Sequence, residues 1–282
     1  MFFRFLSGLV RVRVTVSYAA VLFGVASLLL LLGPHAQAQA VSMLSTNLHN
    51  LGQGHLGTLV GSAFVTAEGY TYLLLPGLVC LLALAEVLWC GRRLVQAFTF
   101  GHVGATVIVA AGLAYAIKAG WVPISAATAD DVGLSYGAVA VLGALTSSLP
   151  AVWRTGWAAG WLTIAVVVAA AGADFTAIGH AVALVLGMLL SVRYRSDARW
   201  TRSRKSLLAV GTAFGALLLV GASPSVAPFA LGAGLVVAAS ITAVRRRPRR
   251  VPGSDDQRAV VAARGSRPKC LRPLRPLCSA DR

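Results

Sequence analysis

Two stretches decide how this chain is read: DDVGLSYGAVAVLGAL at 130–145 and DFTAIGHAVALVLGMLL at 174–190. Each opens on an acidic residue and continues as an apolar run rich in Gly, Ala, Val and Leu, in blocks rather than in the periodic stripes of a soluble helix. The whole chain shares this character. Of its 282 residues 57% are hydrophobic and only 12% charged, against about 45–50% and about 25% in a soluble domain. That balance excludes a soluble globular enzyme, a disordered chain and a nucleic-acid-binding domain, and makes the chain an all-α integral membrane protein.

A bilayer-crossing helix needs roughly 20 apolar residues. Eight candidate spans are predicted at about 14–33, 70–90, 95–117, 132–150, 156–173, 175–192, 206–222 and 228–244. The net charge is +16, from 25 Lys and Arg against 9 Asp and Glu, and the position of the cations says more than their number. With eight spans, 24 of the 25 basic residues fall on one side and Lys118 alone on the other. Basic loops face the cytoplasm, so both termini are expected there. Ala, Val and Arg usage suggests a high-GC bacterium, and with it a multi-pass protein of the plasma membrane.

The outer loop, 34–69, contains no Lys or Arg but holds His35, His49, His55, Asn47 and Asn50. Its apolar stretch Leu56–Val65 is too short to span and reads as a re-entrant or interfacial segment packed on the bundle. HAQAQA at 35–40 resembles a signal cleavage region, but the apolar run before it is too long for a signal peptide. The tail, 245–282, carries twelve Lys and Arg with several prolines. It is read as disordered and held near anionic lipid head groups. Cys80, Cys90, Cys270 and Cys278 show no CxxC spacing. They are taken as reduced or structural, with no metal site and no cofactor.

Ionisable side chains inside spans are costly and are functional candidates. Glu86 lies near the cytoplasmic end of the second span, where an interfacial salt bridge or snorkelling is the plain reading. His102 lies about 13 Å in from the edge of the third span, and bonding to a neighbouring helix is its plain reading. Ser135 and His180 stand apart. The fourth and sixth spans both enter from the outside, Ser135 four residues after Asp131 and His180 six residues after Asp174. Topology alone thus sets them at similar depth. Glycines at 133, 137, 179 and 187 would let the helices approach closely. A serine becomes a nucleophile when a base takes its proton, and histidine is the usual base.

On these residues the chain resembles the rhomboid intramembrane serine proteases. Gly133-Leu134-Ser135 matches their serine motif, except that Tyr136 intervenes before Gly137. Gly179-His180 and Gly187 match their histidine motif, except that Ala183 replaces a glycine. Glu86…Gly91-Arg92-Arg93 is similar to the turn after their second helix. Their His-x-x-x-Asn motif on that helix would fall near Tyr70 and Leu74 and is missing, as is a Trp-Arg pair in the first loop. The resemblance covers about 14–192. It implies a six-helix rhomboid-like core there, preceded by a basic cytoplasmic N-terminus (1–13). A basic cytoplasmic linker (193–205), two additional C-terminal transmembrane helices (206–244) and the tail (245–282) follow.

The resemblance implies a serine endopeptidase in which Ser135 attacks a peptide carbonyl of a transmembrane substrate and His180 relays the proton. Gly133, Tyr136, Asn47, Asn50 and His102 are the candidate oxyanion or auxiliary groups. Asp174 is expected to cap the sixth helix rather than serve as a third catalytic member. The alternative is an inactive rhomboid-like protein that binds transmembrane clients without cutting them. A solute transporter fits less well, because no internal repeat or paired broken helices are found. No nucleic-acid partner is expected.

Overall fold

Lipid offers a backbone no water to bond with, so a chain this apolar must satisfy its peptide groups within helices. The computed structural model describes residues 11–66, 71–130, 132–172, 174–194, 199–221 and 223–246, and among them it has helices and no strand. The expected N-terminal residues 1–10, Tyr70, Asp131, the linker residues 195–198 and the tail from 247, with Cys270 and Cys278, lie outside the described residues.

The helices are α1 (Arg13–Leu32), α2 (Pro34–Leu44), α3 (Leu48–Gly52), α4 (Thr58–Gly61), α5 (Thr71–Trp89), α6 (Gly91–Lys118), α7 (Ser135–Ala144), α8 (Ala151–Gly172), α9 (Phe175–Ser191), α10 (Arg202–Gly221) and α11 (Ala227–Arg246). Six of them, α1, α5, α6, α8, α10 and α11, are long and apolar enough to cross a membrane, and α9 is a shorter apolar helix. Their outward leucines and phenylalanines, Leu31 at 85% and Phe229 at 71% exposure among them, have a medium to meet only in lipid. The chain is a multi-pass membrane protein.

One expected span is built from a helix much shorter than a full crossing. Residues 132–150 form a ten-residue helix, α7, followed by a 3₁₀ turn at Leu145–Ser148. At 1.5 Å per residue α7 is about 15 Å long, half of a bilayer core. The physical reason is enclosure: every residue from Tyr136 to Ala144 is buried. A helix walled by protein need not match the bilayer's thickness. Its start is set by Gly133, whose φ of +124° suits glycine. Its end is set by Thr146, which turns its hydroxyl onto the Gly143 carbonyl at 2.7 Å.

The wall around α7 is built from small residues. A Cβ on Gly101 of α6 would stand 1.9 Å from the Ala140 Cβ, and one on Gly187 of α9 would stand 1.9 Å from the Ala140 carbonyl oxygen. On the far side, α10 packs on α5, where Phe214 fills the space beside Gly77, and on α7, where Gly215 admits Leu142. α11 in turn lies on α8, with Gly156 and Gly160 against Ala238 and Gly234. Gly156-x-x-x-Gly160 is the small-residue spacing that brings membrane helices into backbone contact.

Among the described residues Glu86 has no ion-pair partner, and it is buried rather than snorkelling. Its buried carboxylate accepts hydrogen bonds from Val14 N (3.0 Å), Thr15 N (2.8 Å) and Thr15 Oγ1 (2.7 Å). The two N–H groups are orphan donors of the α1 N-terminus, where a carboxylate also meets the positive end of the helix dipole. Gly91 keeps this corner open, since a Cβ there would lie 3.1 Å from Glu86 Oε1 and 2.6 Å from Val14 Cγ2.

Candidate functional site

Ser135 is the first residue of α7 and is half-buried, whereas the nine residues after it are buried. The N–H groups of a helix's first turn have no carbonyl one turn earlier to bond, and the positive end of the helix dipole lies with them. The serine thus sits at a helix start, where backbone donors are left without helical partners.

His180 stands on α9, which runs parallel to α7. The two helices meet backbone to backbone: a Cβ on Gly143 would come 2.4 Å from the Leu184 carbonyl oxygen. At the Ser135 end the residue of α7 that touches His180 is Tyr136, edge to face with ring centroids 5.4 Å apart at 81°. Gly179 makes room for this, since a Cβ there would lie 2.3 Å from the Tyr136 ring. His180 is 4% exposed. Neither ring nitrogen has a hydrogen-bond partner among the described residues, so the Ser135 hydroxyl is not bonded to it. Asp174 caps α9 by accepting from Thr176 N at 3.3 Å, in keeping with the expectation from sequence.

The other candidates fall in two places. His102 is buried on α6, stacks on Phe98 at 6.2 Å and pairs through Nε2 with Ser62 Oγ at 3.1 Å. Its partner is therefore the outer loop rather than a neighbouring helix. Gly133 donates its N–H to the Ser62 carbonyl at 2.8 Å. Ser62 consequently ties the approach to α7 to His102, a role that nothing in the sequence pattern signals. The segment that carries it is the α4 turn and the 3₁₀ stretch Ser62–Phe64. It is anchored further by Tyr18, whose hydroxyl donates to the Ala63 carbonyl at 2.7 Å and whose ring meets Phe64 edge-on.

Asn47 and Asn50 are engaged in shaping the loop. Asn47 caps α3 by accepting from Asn50 N at 2.9 Å, and Asn50 Nδ2 donates to the carbonyls of Ser42 (2.9 Å) and Ser45 (2.8 Å). Asn47 also lines a small gap with Ala129 and Phe175, which sets this end of the loop beside the start of α9. On α5, position 74 is leucine.

Buried polar atoms without partners are few in a folded protein, and each calls for an explanation. Among the described residues they include Thr106 Oγ1 on α6 and both nitrogens of His180 on α9, the two helices that sandwich α7, as well as Ser147 Oγ and Trp157 Nε1. His102 and Thr106 are one turn apart on the same face of their helix. Such groups can take a proton, hold a water or bind a polar guest. Among the described residues no group of His, Cys, Asp and Glu is arranged to hold a metal ion.

A family model described as rhomboid-like protein matches residues 10–199. Searches of curated proteins and of solved structures gave no match. The matched stretch takes in α1 to α9 and stops before α10 and α11. It includes the short buried helix with Ser135 at its start and the parallel helix with His180, the elements on which the sequence resemblance rested. The chain belongs to the rhomboid-like protein family.

Proposed function

We propose that this protein is an intramembrane serine protease in which Ser135 and His180 form the catalytic dyad. One observation carries the reading: a buried histidine with both ring nitrogens unpartnered stands on the helix parallel to the one that Ser135 begins. In the cleavage step Ser135 Oγ attacks the scissile carbonyl of a membrane-protein substrate while His180 accepts the hydroxyl proton. The resulting oxyanion is held by N–H groups at the start of α7. His180 then protonates the leaving amine, and water releases the acyl group from Ser135 by the same relay. The Ser135 hydroxyl turns onto His180 when substrate binds, because catalytic hydrogen bonds tighten in the complex. Gly133 and Tyr136 frame the serine, and His102 holds the loop above it.

In this reading the basic ends of the helices, and both termini, face the cytoplasm of a cell whose plasma membrane holds the protein. The N-terminal helices up to α9 form the catalytic core, and α10 and α11 are additions to it. α10 stands between α5 and α8 and touches α7, so a client segment reaches Ser135 beneath the outer loop or by displacing α10. The basic tail lies against anionic lipid.

A second reading is favoured by specific observations. The Ser135 hydroxyl is not bonded to His180, and leucine stands at position 74, where the resemblance calls for an oxyanion asparagine. On that reading the same bundle binds transmembrane clients without cutting them. The deciding experiment reconstitutes the protein in vesicles with a quenched fluorogenic single-span substrate. Cleavage by the wild type that is lost in both Ser135→Ala and His180→Ala supports the protease. Client binding with no cleavage in any of the three supports the non-catalytic protein.

A further inference from the structure

At the basic end of the bundle, α8, α10 and α11 enclose a cleft of about 670 Å³. Its walls include Trp153, Trp157 and Trp200, and Lys205 stands on its lining. Two features of the cleft are not explained by helix packing. The first is Trp157, whose indole Nε1 is buried and has no hydrogen-bond partner among the described residues. A buried indole N–H ordinarily finds an acceptor, and leaving it bare is costly. The second is charge. Arg246 lies over the Trp153 ring at 4.4 Å, beside a cleft that already presents Lys205.

No described carboxylate answers these cations. Glu86 is bound to the α1 N-terminus. Asp174 follows the far end of the 22-residue α8, about 33 Å away along its axis. Asp130 adjoins Ala129, which lines a gap with Phe175 at that same far end. Arg154, the basic residue of α8, gives its Nε to the Leu149 carbonyl at 2.8 Å, whereas Lys205 lines the cleft and Arg246 adjoins it over Trp153.

We propose that this cleft is a binding site for an anionic phospholipid. The phosphate sits on Lys205 and Arg246 at the mouth, at the level of Trp153. Trp157 follows one turn deeper, about 6 Å along α8, where the glycerol esters of a lipid lie, and a small turn of its ring lets the buried N–H donate to an ester carbonyl. The acyl chain continues along Leu208 and Leu235. Tryptophan is enriched at this depth of a membrane, and basic pockets between helices suit anionic head groups. Half of its lining lies on α10 and α11, beyond the stretch matched by the family model, and the site does not depend on the protease reading.

The test uses the full chain purified in detergent, with dioleoylphosphatidylglycerol and dioleoylphosphatidylcholine as probes. Native mass spectrometry is expected to show one retained phosphatidylglycerol, displaced only weakly by phosphatidylcholine. The Lys205→Ala/Arg246→Ala variant should lose affinity for phosphatidylglycerol by roughly 30-fold, at about fivefold per cation. Both side chains are exposed, so the variant keeps its fold, and its thermal midpoint without lipid checks this. A diazirine-tailed phosphatidylglycerol in phosphatidylcholine vesicles should crosslink to peptides around Leu208 and Leu235. Equal retention of the two lipids, unchanged affinity in the double variant, or crosslinks only elsewhere would each overturn the proposal. So would occupation of the cleft by the chain's own tail or by a second copy, detected as a protein–protein crosslink there.

Discussion

Replacing Gly187 with alanine places one methyl group in a helix crossing that has no room for it. A Cβ built at this position stands 1.9 Å from the Ala140 carbonyl oxygen, whereas real Cβ contacts stay beyond 3.0 Å. The crossing must therefore open by at least 1.1 Å (3.0 − 1.9). The obstacle is backbone, so no rotamer change relieves it. Overpacking of this kind costs about 1–3 kcal/mol. In chains of about 150–250 residues, 1 kcal/mol moves Tm by roughly 2–4 °C. Thermal unfolding in detergent should then show a midpoint lowered by roughly 2–12 °C. Gly112→Ala is the control: it too lies in a helix interior, on α6, but its Cβ would meet nothing within 4 Å. Alanine there removes glycine's helix penalty of about 1 kcal/mol and should leave Tm unchanged or raise it. Because α7 carries Ser135 and α9 carries His180, a displacement near 1 Å at their crossing should also lower any cleavage rate by about 100-fold. Equal midpoints for Gly187→Ala and Gly112→Ala would refute the backbone contact between α7 and α9.

Glu86→Gln should lower Tm in the same assay, because one amide oxygen replaces two carboxylate oxygens that serve three donors, at about 1–3 kcal/mol for each donor left bare; an unchanged midpoint would mean that the α1 N-terminus is capped some other way. Ser62→Ala removes the 3.1 Å bond to His102 but keeps the carbonyl that accepts from Gly133. It should cost about 1 kcal/mol and speed hydrogen exchange in the loop around residues 58–64 more than in α7, a contrast that exchange mass spectrometry reads directly. Gly156→Leu should loosen α11 from α8, since even a Cβ there would lie 2.3 Å from Thr242 Oγ1 and 2.7 Å from the Ala238 carbonyl oxygen; proteolysis confined to the C-terminal helices checks it.

The long helices were legible because lipid imposes a rule on sequence: a lipid-facing span must be about 20 residues long and apolar. α7 misled that rule because it faces protein on all sides, and a buried ten-residue helix of Ala, Val, Gly and Leu has the same composition as part of a span. The hints of its true length were Gly133 before it and the hydroxyls of Thr146, Ser147 and Ser148 after it. Topology alone set Ser135 and His180 at similar expected depth, and the structure puts Tyr136, the neighbour of Ser135, against His180. Which residue of α7 would face His180 did not follow, because spacing from a span's edge does not fix the helix's rotation; the structure gives that place to Tyr136. The role of Ser62 was hidden, as it lies in an aperiodic loop 40 residues from His102. Glu86 stood out as a carboxylate in an apolar run, but its partners at Val14 and Thr15 include main-chain N–H groups, which every residue except proline carries.

The central claim is that Ser135 is an activated nucleophile with His180 as its base. A fluorophosphonate probe tests it without knowledge of the client, since it labels a serine only when a base has activated it. The purified wild type should be labelled at Ser135, and labelling should vanish in Ser135→Ala and in His180→Ala while the thermal midpoints stay close to that of the wild type. A wild type that remains unlabelled beside an active rhomboid protease labelled in the same tube would contradict the claim and leave the non-catalytic client-binding protein as the account of this fold.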